Sequence, residues 1–152
     1  MSRWFAVECN NRGWALTAKA GRTPEDDREM LLAAYASAFH WSRIGQPIHQ
    51  ARADMLLAHV HAHLGQGEPA LYYARSFLGF CEGNDCEAWD RALGDAVMAY
   101  AAWVAGDRDL CRKHHDAARE KGEDLEDEED RAIFLDELSR IDRAIGQGPA
   151  NG

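Results

Sequence analysis

The stretch that decides the fold is ARADMLLAHVHAHLGQGEPALYYARSFLGFCEG, residues 51–83, because residues 90–122, DRALGDAVMAYAAWVAGDRDLCRKHHDAAREKG, repeat its plan. Each copy shows an alanine-rich amphipathic helix, a turn with a glycine, a second helix and a closing glycine. The turn glycines are Gly65 and Gly106, and the closing glycines are Gly83 and Gly122. Because one helical hairpin cannot bury its apolar face alone, this repeat predicts hairpins that stack on one another.

The rest of the chain extends the pattern to seven predicted helices with short connections. The clearest start is Thr23, which can cap a helix that has Pro24 in its first turn and acidic residues behind it. The other predicted starts or caps are Ser2, Pro47, Pro69, Asn84 or Asp85, and Asp107. No strand-like alternation of useful length occurs, so an all-α fold of five to seven helices is predicted.

Composition limits the classes of partner. The 152 residues suit one domain, and the net charge of −9 disfavours nucleic acid and anionic membranes as partners. No leader peptide and no membrane span is expected from the sequence. We expect one helical domain over residues 1–146 and a disordered tail over residues 147–152. The acidic run at residues 123–130 is interpreted as a solvated face.

The four cysteines show neither a CxxC pair nor the density of a disulfide scaffold; they are Cys9, Cys81, Cys86 and Cys111. This pattern predicts reduced thiols and a cytoplasmic protein. Cys81 and Cys86 flank a predicted helix end. We predict two unpaired thiols there, and a regulatory disulfide is the alternative.

Small residues occupy matching places in the two repeats: Ala58, Gly65 and Ala70 in the first, and Ala99, Gly106 and Cys111 in the second. This arrangement around a turn glycine resembles the tetratricopeptide repeat family over residues 51–122. The turn glycines are 41 residues apart, against about 34 in that family, so the resemblance is to a degenerate member. RTPEDDREMLLAAYASAFHWSRIG and GQGEPALYYA also resemble a group of small bacterial helical proteins that carries no assigned activity.

The tetratricopeptide resemblance implies a right-handed stack of antiparallel hairpins whose first helices line a concave groove. The groove positions that it implies are Arg52, Met55, His59, Ala62 and His63, then Leu93, Ala96, Tyr100, Trp103 and Val104. Of these, Arg52, Met55, His59, His63, Tyr100 and Trp103 are the predicted binding residues, because this mix of side chains is typical of protein-recognition surfaces. The alternative is that Met55, Tyr100 and Trp103 are ordinary core.

A second hypothesis uses the histidines. His59 and His63 are four residues apart on one helix face and can both reach one metal ion. Two imidazoles alone leave a zinc site incomplete, so a metal- or ligand-binding protein, with or without enzyme activity, is an alternative. No phosphate-binding loop, dinucleotide fingerprint or nucleophile elbow occurs. The sequence therefore predicts a non-catalytic adaptor for a protein or peptide, without a cofactor, and a structural homodimer is a further alternative.

Overall fold

The computed structural model describes residues 2–146 and contains seven α-helices, with no strand in that range, so the all-α prediction is confirmed. The helices are α1 (Ser2–Thr17), α2 (Pro24–Ile44), α3 (Pro47–His63), α4 (Gly67–Gly83), α5 (Ala88–Val104), α6 (Arg108–Glu123) and α7 (Glu128–Gly146). The predicted tail, residues 147–152, lies outside the described residues.

Local capping chemistry sets several helix starts where the sequence predicts them. The Thr23 hydroxyl accepts a hydrogen bond from the Asp26 amide at 3.1 Å, and the Asp26 carboxylate accepts one from the Thr23 amide at 3.0 Å. Asp107 accepts from the Leu110 amide at the start of α6. Pro47 begins α3 as predicted.

Two helix starts differ from the predictions. Helix α4 begins at Gly67, two residues before Pro69. Proline is tolerated in the first turn of a helix, because the amide N–H that it lacks has no helical hydrogen-bond partner there. Helix α5 is capped by Glu87, not by Asn84 or Asp85. The cause is the Asp90 carboxylate, which accepts a hydrogen bond from the Glu87 amide at 3.1 Å.

The helices form two layers. Each helix packs on the next one in the chain, and α1 also packs on α3, α3 on α5, and α5 on α7. Over the described residues, α2, α4 and α6 make no such contacts with one another. The odd-numbered helices therefore lie side by side, and we call their outward-facing surface the odd-helix face. Helix α5 is central, since residues 92–102 are all buried.

Alanine and glycine let the helices approach closely, while a few large side chains fill the space. Phe77 and Phe134 are 0% exposed, and Trp41 is also buried, as predicted. A Cβ atom on Gly122 of α6 would overlap the Phe134 ring of α7. Position 122 therefore needs glycine for the packing of α7; it does not end α6 as predicted, since that helix continues to Glu123.

The two repeat turns depend on glycine conformation, because Gly65 and Gly106 have φ of +74° and +87°. We expect Gly106→Ala to destabilise the chain by about 1–2 kcal/mol, since an L side chain crowds the backbone at positive φ. The matched control is Gly79→Ala, in the interior of α4 with open space around the new methyl group. Alanine there should stabilise by about 0.5–1 kcal/mol. Urea unfolding measures both changes, and equal effects would contradict the assignment.

The prediction of unpaired thiols at Cys81 and Cys86 is wrong. The two form a disulfide, with Cα atoms 5.5 Å apart, whereas Cys9 and Cys111 are free. Because α5 starts only at Ala88, the preceding segment is not helical. This segment lets Cys86 return to the last turn of α4, where Cys81 is buried.

None of the helices between Ser2 and Gly146 combines the length and apolar composition of a membrane-spanning segment. The cytoplasmic location stays a prediction.

Candidate functional site

A pocket of about 570 Å³ opens on the odd-helix face. All four odd-numbered helices contribute to it, with Glu87 at the cap of α5. The lining residues are Asn10, Trp14, Arg52, Met55, Glu87, Trp89, Asp90, Leu93, Ile133, Glu137 and Arg140. This volume lies within the usual range of ligand pockets, about 300–1,000 Å³, and the mixture of apolar walls with a few polar groups is also typical.

Arg52 and Asp90, which both line this pocket, join α3 to α5. The guanidinium donates from Nε to Oδ1 at 2.9 Å and from Nη2 to Oδ2 at 2.8 Å. The Asp90 side chain is only 3% exposed, whereas that of Arg52 is 39% exposed. The hydrogen bond to Asp90, together with the charges of Asp90 and Glu87, raises the pKa of Arg52 against the opposing effect of burial. The pair is thus fixed while part of the guanidinium faces the pocket.

Glu137 and Arg140 form the corresponding ion pair on α7. Arg140 donates to Glu137 from Nη1 at 2.8 Å and to Asp136 from Nη2 at 2.7 Å. The Glu137 carboxylate also lies 3.3 Å from Nε2 of His59. Burial by itself raises the pKa of Glu137, but the hydrogen bonds and charges of His59 and Arg140 outweigh burial and hold it below its usual value. Glu137 is therefore an anion that connects α7 to α3.

A histidine cluster lies behind the pocket wall. His59 is 1% exposed, and its ring is 5.1 Å from that of Trp14. Its Nε2 is 3.2 Å from Nε2 of His63, and the Tyr100 ring packs edge-on against both imidazoles. Burial, with the charges of His59 and Arg22, lowers the pKa of His63 to about 2. His63 is therefore neutral near pH 7, and its Nε2 shares a hydrogen bond with Nε2 of His59.

The two histidines of the metal hypothesis lie close together, but no third ligand joins them in the described part of the chain. His59 and His63 converge as their spacing predicts, yet the described part of the chain contains no group of three or more His, Cys, Asp or Glu side chains placed to hold a metal ion. The buried Nδ1 of His59 also has no hydrogen-bond partner, whereas a metal-bound imidazole normally donates its other N–H to a fixed acceptor. Metal binding stays the untested alternative that the sequence raised.

The structure separates the predicted groove residues into three places. Arg52 and Met55 line the pocket, whereas the histidine cluster behind Trp14 holds the buried His59 and Tyr100 and the partly exposed His63. Trp103 lines neither, since it borders another hollow, of about 280 Å³, where the Arg108 guanidinium lies 4.7 Å from its ring. The pocket uses the first turns of α5, and Trp103 is about 15 Å farther along that helix at 1.5 Å per residue.

Sequence reasoning missed the residues that α1, α7, and the cap and first turn of α5 contribute, namely Asn10, Trp14, Glu87, Trp89, Asp90, Ile133, Glu137 and Arg140. Those of α1 and α7 lie outside the repeat, so the groove register does not reach them. One available signal was Asp90, which is a charged residue at the start of a helix with few charges. Asp90 also follows Glu87 by three positions, which is the spacing of a reciprocal cap.

Comparisons of this chain with protein-family models, with curated proteins and with solved structures find no match.

Proposed function

We propose that this chain is a non-catalytic adaptor that binds a peptide segment of a partner protein on the odd-helix face, with the helices in a right-handed, tetratricopeptide-like stack. The observation that carries the proposal is the 570 Å³ pocket, to which four side-by-side helices contribute. A site built across parallel elements suits an extended ligand that crosses them. Two partly exposed indoles, Trp14 and Trp89, supply the large flat contact area that recognition surfaces favour.

Binding is favoured over catalysis by the types of residue present. No serine, threonine, cysteine, lysine, histidine or tyrosine lines the pocket among the described residues. The nearest histidines, His59 and His63, lie behind its wall, and the low pKa of His63 leaves that imidazole without basic strength near neutral pH. Of the three lining carboxylates, Asp90 and Glu137 are already bound to arginines, and Glu87 is the N-cap residue of α5. Such groups position a ligand better than they transfer its protons.

The test uses Ile133, which lines the pocket and is 52% exposed, so its replacement leaves the core intact. Peptides are first selected on the immobilised chain from a phage-displayed dodecapeptide library. We expect Ile133→Ser to weaken binding of the selected peptides at least fivefold, because an apolar contact is lost. The readout is the dissociation constant from fluorescence polarisation.

The matched control is Leu32→Ser, which removes an equally large apolar side chain, 58% exposed, from α2. It should leave the affinity unchanged. Equal binding by both variants and the unaltered chain, with equal thermal stability, would show that the odd-helix face is not the peptide site.

A further inference from the structure

We propose that the pocket on the odd-helix face takes the cationic side chain of a lysine or arginine in the bound peptide, together with an adjacent apolar residue. This inference rests on the proposed peptide-binding function and adds the chemistry of the partner. Three features carry it: the charge balance around the pocket, the aromatic walls and the acidic turn that precedes the pocket on α7.

The charge balance of the pocket is negative although two arginines line it. Each guanidinium is flanked by two carboxylates: Arg52 by Asp90 and Glu87, and Arg140 by Glu137 and Asp136. Three carboxylates, Glu87, Asp90 and Glu137, line the pocket beside the two guanidiniums, and Asp136, which is not part of the lining, places a fourth carboxylate beside Arg140, so carboxylates are in excess. Glu87 forms no ion pair with any residue of the described range. The excess negative charge would repel an added anion, whereas an added cation would compensate it.

The walls fit a side chain with an apolar stem and a charged head. Met55, Leu93 and Ile133 offer apolar contact, and Trp14 and Trp89 also line the pocket. The methylene stem of lysine or arginine packs against such surface while its head stays near the carboxylates. Tryptophan is also the aromatic ring that attracts cations most strongly. The volume exceeds that of one lysine side chain, which leaves room for a neighbouring apolar residue.

The surroundings extend the negative field beyond the pocket. On α7, Glu129 and Asp130 lie one turn before Ile133, on the same side of the helix. The whole chain carries a net charge of −9. A field of one sign raises the association rate of oppositely charged ligands and falls with salt. A basic peptide is therefore the complementary partner.

The first experiment compares three probe peptides that differ at one position. The probes are acetyl-Gly-Leu-Lys-Leu-Gly-amide and its analogues with norleucine or glutamate in place of lysine. Titrations follow the indole N–H resonances of Trp14 and Trp89 in ¹⁵N-correlated NMR spectra. We expect the lysine peptide to shift both resonances and to bind at least tenfold more tightly than the norleucine peptide. The glutamate peptide should shift neither.

The second experiment changes the unpaired carboxylate. Glu87→Gln should weaken the lysine peptide about threefold to fivefold and leave the norleucine peptide unaffected. The matched control is Glu120→Gln, an exposed position on α6 in the other layer with the same change of charge, which should leave both unaffected. Raising the sodium chloride concentration should weaken only the lysine peptide.

The outcomes separate this inference from the proposed function. If norleucine binds as tightly as lysine and shifts the same indoles, the pocket binds peptides but does not select a cation, and the inference is wrong alone. If the lysine peptide moves neither indole at millimolar concentration, the inference is wrong, and the library selection then decides the proposed function separately. Equal weakening by Glu87→Gln and Glu120→Gln would also overturn it, since the effect would then be one of net charge.

Discussion

Replacing Phe134 by alanine is expected to destabilise the chain by about 3–5 kcal/mol, the usual cost of removing a fully buried phenylalanine ring. Phe134 is 0% exposed, its ring lies edge-on to Trp89 at 6.0 Å, and it fills the space that Gly122 leaves open. Within the described range, the backbone of helix α7 packs against α5 and α6, and its Glu137 side chain also reaches His59 of α3. A cavity at Phe134 therefore weakens the seating of the helix that carries Ile133, Glu137 and Arg140 to the pocket.

The control for Phe134→Ala is the neighbouring residue. Ile133→Ala lies on the same helix, but its side chain is 52% exposed, so its cost should stay below about 1 kcal/mol. Guanidinium unfolding followed by circular dichroism measures both changes. Similar losses for the two variants would contradict the packing described, because they would mean that the α7 contacts do not depend on the Phe134 ring.

Arg52→Ala is expected to cost about 2–3 kcal/mol. Removing one partner of a buried ion pair leaves the other charge uncompensated, which typically costs about 3–5 kcal/mol. The value here is smaller because the Arg52 side chain is 39% exposed, so water can partly replace it. Asp90 would keep only the hydrogen bond from the Glu87 amide. Denaturant unfolding gives the loss.

Two further variants isolate the Arg52–Asp90 interaction. Arg112→Ala removes an exposed guanidinium whose nearest carboxylate, Asp109, is 3.7 Å away and itself exposed, and it should change stability by less than about 0.5 kcal/mol. In a double-mutant cycle, Arg52→Ala and Asp90→Asn together should cost at least about 1 kcal/mol less than the sum of the single changes. An additive result would mean that the pair is not coupled.

Signals confined to a few residues predicted much of the fold. The reciprocal hydrogen bonds of Thr23 and Asp26, the cap at Asp107 and the left-handed glycines at 65 and 106 each involve atoms within one turn of the chain. Propensity and capping act over that range, so the sequence shows them directly. The burial of Trp41 also follows from its place on an apolar stripe.

The errors arose where contacts between segments compete with local signals. Asn84 and Asp85 are good helix caps, but Asp90 binds both the Glu87 amide and Arg52, and the helix starts at Ala88 instead. The later start leaves Cys86 outside the helix and within reach of Cys81. Trp103 has the composition of a recognition residue, yet its distance along α5 places it beside Arg108, away from the pocket.

The sequence by itself predicted an all-α chain of five to seven helices with short connections, and it fixes the negative charge of the chain. Only the tertiary structure decided where the pocket lies, because the pocket joins residues from Asn10 to Arg140 on four separate helices. The ion pair that joins α3 to α5 has no local mark in the sequence, since Arg52 and Asp90 are 38 positions apart. Arg52 and Asp90 come into contact only when the helices stack and bury their apolar faces. The stabilisation from this contact therefore depends on the packed layers and not on any one segment.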